Sequence, residues 1–151
     1  MGPSYSIRGT AWKPPRGRYP CRQMPTTVTN GIRVSVKVRF AEEASDPKLG
    51  RFLFAYRITI ANEGQRTVQL LRRRWTIWDS LGPVRQVEGP GVVGETPVLA
   101  PGGQFTYTSQ CDLRSGLGRM VGTYTMWDKD SGERLAVDVP EFDLHYPFLA
   151  N

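Results

Sequence analysis

The chain has 151 residues, 39% hydrophobic and 23% charged, a size and balance that suit one soluble domain with a core of its own. No run approaches the roughly 18 apolar residues of a membrane helix, and two cysteines, Cys21 and Cys111, are too few for a disulfide framework. The formal charge of +6 is unevenly spread: Arg8, Lys13, Arg16, Arg18 and Arg22 stand in residues 1–30 without one acid, and the remainder is close to neutral. That places the basic character in a tail, so a specific nucleic-acid groove is not expected. No apolar stretch follows the basic N-terminal residues, so a secretory leader is not expected either. Both cysteines are then expected as free thiols, and the expected location is cytoplasmic.

Residues 1–30 read as a basic, Pro/Gly-rich extension. Pro3, Pro14, Pro15, Pro20 and Pro25 interrupt helix and ladder alike. Tyr5, Trp12 and Tyr19 could fold this tail back or dock a partner. The domain proper is expected over residues 31–147. Ile32, Val34, Val36, Val38 and Phe40 alternate with Arg33, Ser35, Lys37 and Arg39, a period of two that puts one row on a core and one in water. Residues 41–50 are polar and turn-rich. Phe54, Tyr56, Ile58 and Ile60 mark a second strand, ended by a turn at Asn62-Glu63-Gly64.

A third strand is expected from about Val68 to Asp79, with Trp75 as a central core residue. Its parity shifts around Arg72-Arg73-Arg74, which predicts a bulge or bend. Val84 and Val87 mark a short strand leading into residues 88–102, a long loop with Gly89, Gly91 and Gly94 in a G-x-G-x-x-G pattern. Further strands are expected around Phe105–Ser109, Met120–Met126 and Leu135–Val139, the last stopping before Pro140. Asp128 to Glu133 has the look of a calcium loop, but Gly132 stands where a ligand is needed, so a hairpin turn is expected. About seven short strands and no amphipathic helix predict an all-β, immunoglobulin/fibronectin-III-like antiparallel sandwich, with a barrel as the alternative.

The run Phe54-Ala-Tyr-Arg-Ile-Thr-Ile-Ala-Asn-Glu-Gly64, with Val68-Gln-Leu-Leu71 and Trp75, resembles the ApaG domain family. So do Val87 to Glu95, Pro97 to Gly102, Tyr107 to Ser109, Gly122 to Met126 and Pro140-Glu-Phe142, in one collinear order over roughly residues 30–147. The resemblance implies a fibronectin-III-like sandwich. It also implies an interaction module, since the family occurs both as a small bacterial protein and within larger eukaryotic proteins. For bacterial members it implies association with a diadenosine tetraphosphatase gene and with cobalt or magnesium tolerance. Where the family pattern has an Arg-His-Trp type sequence this chain has Arg73-Arg74-Trp75, so no role of that histidine carries over.

The glycine pattern does not fit a dinucleotide fold, because Pro97, Pro101 and the β-pattern beyond them leave no room for the helix that meets pyrophosphate. Glycines can still shape backbone N–H groups into an anion-holding concavity. Gly89, Gly91 and Gly94 with Arg72, Arg74 and Arg85 are therefore the candidate anion or nucleotide site; the bland alternative is a loop whose glycines only allow positive φ. On a strand Arg72 and Arg74 share one face and Arg73 takes the other. No zinc set is expected from a single histidine, His145, and a Cys111–His145 pair has nothing to orient it. The expected function is a non-enzymatic module that binds a protein partner, without cofactor or metal, with a homodimer through sheet edges as a further expectation. The alternative is binding of a pyrophosphate-containing nucleotide, of the diadenosine polyphosphate class, at residues 88–95.

Overall fold

A computed structural model describes residues 24–148. The first 23 residues, with Cys21 and the basic and aromatic side chains assigned to the extension, lie outside the described residues. The described chain forms strands β1 (Thr26–Thr29), β2 (Ile32–Phe40), β3 (Phe52–Asn62), β4 (Val68–Asp79), β5 (Arg85–Pro90), β6 (Val98–Leu99), β7 (Gln104–Leu113), β8 (Leu117–Asp128) and β9 (Arg134–His145). One sheet has the order β1-β2-β3-β7, and the other β5-β4-β8-β9 with β6 also paired to β4. All the pairings are antiparallel, and the sheets face one another as a sandwich.

The alternating rows of the sequence become the inner faces. Val34, Val36, Phe54, Ile58 and Ile60 are fully buried, and Trp75 sits among them at 2% exposure, with Tyr124 and Phe142 edge-on to its ring. Asn62 closes the β3 turn: its Nδ2 donates to the carbonyls of Arg66 and Leu99, and its Oδ1 accepts from the Gly64 amide, so a buried amide is fully used. At the neighbouring hairpin Arg66 Nη1 donates to Asp128, whose other oxygen takes the amides of Asp130 and Ser131. Those bonds hold the Asp128 carboxyl down at about 2, and they spend it on a turn.

The sequence reading is met at one strand and departs at two, each for a physical reason. Residues Thr26–Thr29, expected within the irregular extension, pair with β2 as an edge strand directly after Pro25. The β4 bulge is where the arginine run predicts it, with the register shifting between Leu70 and Arg72. Strand β9, expected to stop before Pro140, continues to His145. Gly122 pairs with Val139 and Met120 with Phe142, so Pro140 and Glu141 together oppose Val121. A proline has no N–H for a ladder, and a bulge on an edge strand needs none from it.

The two sides of the sandwich close differently. Where β1 meets β9, side chains reach the other sheet's backbone. Thr27 Oγ1 donates to Asp138 O, Asn30 Nδ2 donates to Ala136 O, and the Asp138 amide donates to Thr29 Oγ1. Where β5 faces β7, the gap is bridged by Arg85, which donates to the Asp112 carboxylate and carbonyl and to Cys111 Sγ.

Candidate binding site beneath the glycine loop

Past the bulge, β4 turns Arg73, Trp75 and Ile77 inward and leaves Arg72, Arg74 and Thr76 on the outer face. Arg73 is thus the arginine that reaches the glycine loop from inside. Its Nη1 donates to both Pro90 O and Gly91 O, at 2.9 Å each. A Cβ at Gly89 would lie 3.1 Å from that Nη1, so this glycine makes room for the guanidinium. Gly91 has φ +60, and a Cβ there would come within 2.3 Å of Glu95 O.

Beyond Gly91 the chain makes a two-residue hairpin. The amide of Val92 donates to Glu95 O and the amide of Glu95 to Val92 O, with Val93 at φ 45 and Gly94 at φ 79 between them. Two central residues with positive φ define a type I′ turn, which favours Asn-Gly. A β-branched valine in the left-handed region costs on the order of 1–3 kcal/mol and persists only where its surroundings fix it. Val93 is fixed by packing against the core.

Under this hairpin lies a cavity of about 190 Å³ lined by Arg73, Trp75, Tyr56, Tyr107 and Ser109 as well as Val92, Val93 and Gly94. Tyr56 pairs with Ser109 in the β3–β7 register, and Tyr107 shares a hydrogen bond with Tyr124 across the two sheets. Burial pushes the hydroxyls of Tyr56, Tyr107 and Tyr124 well above the usual phenol range, and the Arg73 charge pulls each of them back in part. Each therefore stays a neutral donor at ordinary pH.

The sequence assigned Gly89, Gly91, Gly94, Arg72, Arg74 and Arg85 to one anion site, and the structure distributes them. Arg72 and Arg74 border β5 on the outer face, Arg74 in an ion pair with Glu88 at 3.0 Å. Arg85 stands at the far end of β5, about 13 Å along the strand from Gly89, held by Asp112. The Gly91, Val92 and Glu95 amides are used within the fold, since Gly91 donates to Leu71 O and the other two close the hairpin. Arg73, absent from the candidate set, occupies the position meant for its neighbours. Its signal was in the sequence: it shares parity with Trp75, two residues on.

Cys111 is buried, and burial pushes its thiol up to about 12. Its polar contacts are Arg85 and Asp112 O, whereas His145 is exposed on β9, so the two do not form a nucleophile and base. Among the described residues no cluster of His, Cys, Asp and Glu has a metal-holding arrangement, and no helix is long and apolar enough to cross a membrane.

A second surface stands at the end of the sandwich where β2, β4, β7 and β9 finish. Leu49, Leu81, Val84, Leu117 and Phe148 are exposed there, Leu81 at 72% and Leu49 at 68%. The loops that carry Leu81, Leu117 and Phe148 are joined. Asp79 accepts from the amides of Leu81 and Arg114 and from the Ser115 hydroxyl, while the Tyr146 amide donates to Gly116 O. Burial alone would raise the Asp79 carboxyl, yet the bonds from Arg114, Ser115 and Leu81 outweigh it and hold it below the usual range. Tyr146 then packs edge-on to Phe40, Phe52 and Phe148.

The family model described as the ApaG domain matches residues 42–128, more than half of the chain. This chain belongs to the ApaG family. Protein ApaG of Paramagnetospirillum magneticum is 48% identical over 124 residues, covering 82% of this chain and 95% of the relative. Protein ApaG of Acidithiobacillus ferrooxidans is 48% identical over 113 residues, covering 75% and 88%. A crystal structure from Bordetella pertussis, described as ApaA, superposes with a TM-score of 0.74 at 39% identity, covering 83% of this chain and 98% of that one. The ApaG match takes in β3 through β8, so Arg73, the glycine hairpin and every other residue lining the cavity fall inside it. The ApaG resemblance read from Phe54–Gly64 and Val87–Gly102 is therefore a true family membership, and the all-β sandwich it implied is the fold.

Proposed function

We propose that this ApaG protein is a non-enzymatic module that binds a protein partner through the apolar loop surface at the Leu81 end of the sandwich. The observation that carries this reading is the exposure of Leu81, Val84, Leu117 and Phe148 on loops tied together by Asp79 and Gly116, with Leu49 exposed at the same end. Contiguous exposed apolar side chains rimmed by polar groups mark interaction surfaces, and loops on a rigid sandwich are a recurrent place for them. The nucleotide reading has less support, because three of the glycine-loop amides are committed within the fold and Arg85 lies at the far end of β5.

The test is affinity capture from native lysate of the source cell with the full chain, its Leu81→Asp/Leu117→Asp variant, and a Val98→Asp control at the opposite end. A stoichiometric partner retained by the control and lost by the double variant is the expected result. Recovery of no stoichiometric partner, or of one indifferent to the double variant, overturns the reading.

A further inference from the structure

We infer that the cavity between Arg73 and the Val92–Gly94 hairpin is a binding site for a small organic acid, its carboxylate on the Arg73 guanidinium and its apolar body against Trp75, Val92 and Val93. Nothing in this inference depends on the loop surface at the Leu81 end.

The charge comes first. Arg73 points into the sandwich, and its hydrogen bonds among the described residues are the two that Nη1 makes to Pro90 O and Gly91 O. Carbonyl dipoles orient a guanidinium but do not neutralise it, and this half-buried charge keeps a capacity for an anionic partner. Arg74 has Glu88 and Arg85 has Asp112, but no carboxylate is paired with Arg73 among the described residues. With Nη1 engaged, the Nε and Nη2 edge of the fork is the side left for a ligand, and that edge matches a carboxylate in the two-bond mode.

The walls decide the body of the ligand. Apart from Arg73, the polar groups of the lining side chains are the hydroxyls of Ser109, Tyr56 and Tyr107 and the indole N–H of Trp75; Tyr107 is already joined to Tyr124, and Tyr56 to Ser109. The rest is aromatic or aliphatic, from Trp75, Val92 and Val93. In size alone, a cavity of about 150 Å³ is enough for one benzene ring, and this one, whose accessible lining is more polar than apolar, measures about 190 Å³. A one-ring acid therefore fits, and a whole nucleotide does not. The left-handed backbone of Val93 supports the same assignment: the strain keeps an isopropyl group on the cavity wall where an Asn-Gly turn would be relaxed.

The experiment is an NMR titration of the isotope-labelled full chain with benzoate, run beside benzyl alcohol and inorganic phosphate. Saturable shifts of the Val93, Gly94, Tyr107 and Ser109 amides with benzoate are expected. Affinity should fall about ten-fold or more for benzyl alcohol and in Arg73→Gln, the loss of one charge-assisted contact. Arg74→Gln, on the outer face, should bind as the parent does. Should Arg73→Gln not fold, Ser109→Ala and Val93→Gly carry the test, each lowering benzoate affinity at the same amides. The inference is overturned by an absence of saturable shifts at millimolar benzoate, by benzyl alcohol binding as well as benzoate, or by phosphate binding more tightly at those amides. Affinity unchanged in the cavity variants overturns it equally.

Discussion

The two flanks of this sandwich solve one problem in opposite ways. At the β1–β9 flank, Thr27, Thr29 and Asn30 reach across and satisfy the backbone of Ala136 and Asp138, leaving two sheets stitched by short, uncharged side chains. At the β5–β7 flank the sheets stand apart, and the space between them holds a cation, three tyrosines, a thiol and a cavity under a strained hairpin. The first flank is a closure and the second is a site. Nearly every ionisable group that the core contains lies on the second, so the flanks should respond differently to mutation and to pH.

The largest expected effect falls on the cavity flank. Trp75→Ala removes a buried ring that touches Tyr56, Tyr124 and Phe142, and should cost about 3–5 kcal/mol in urea or thermal unfolding. A cost near that of a surface substitution would mean that the cavity wall is not part of the core. Alkali should come next. The Cys111 thiol is raised from 9.0 to about 12, and the hydroxyls of Tyr56, Tyr107 and Tyr124 are raised above 10.0. The unfolded chain sheds these protons from about pH 9 upward while the native chain keeps them. Stability is therefore full below that range and falls as pH climbs through it. Cys111→Ala should lessen the fall between pH 9 and 10, and a flat profile up to pH 11 would contradict this account. The smallest effect belongs to the sealed flank. Thr27→Val loses one exposed bond and should cost about 0.5–1.5 kcal/mol, with no change in slope at any pH because neither the hydroxyl nor the backbone carbonyl it meets ionises in that range. A pH-dependent cost would blur the contrast between the flanks.

The contrast also explains what could be read before the fold was known. Period-two alternation from Ile32 to Phe40 and Phe54 to Ile60 is a local property, and both strands fold with those rows inside. Trp75 was legible as core for the same reason. Pro140 misled because a proline normally ends a strand, and only pairing with β8 reveals that it stands at a bulge. Thr26–Thr29 carries no apolar row, and its strand comes from pairing with β2. At the site, the three glycines looked alike but have different duties. Gly91 and Gly94 adopt positive φ, as their pattern allows, while Gly89 is small to admit a side chain from the neighbouring strand. That neighbour is Arg73, whose inward direction follows from its spacing to Trp75. The spacing was plain in the sequence; the empty space beneath Gly94 was not, since it belongs to the distance between two sheets.

The stitching at β9 has a consequence for self-association. An incoming strand needs a row of free carbonyls and amides to lay down a ladder, and here Ala136 O, Asp138 O and the Asp138 amide are already occupied by Asn30, Thr27 and Thr29. Those side chains stand where a further strand would pair. A particle with adhesive rims on both flanks can grow into an open filament, whereas one with a single adhesive rim stops at a pair. In this protein three small polar side chains occupy one such rim.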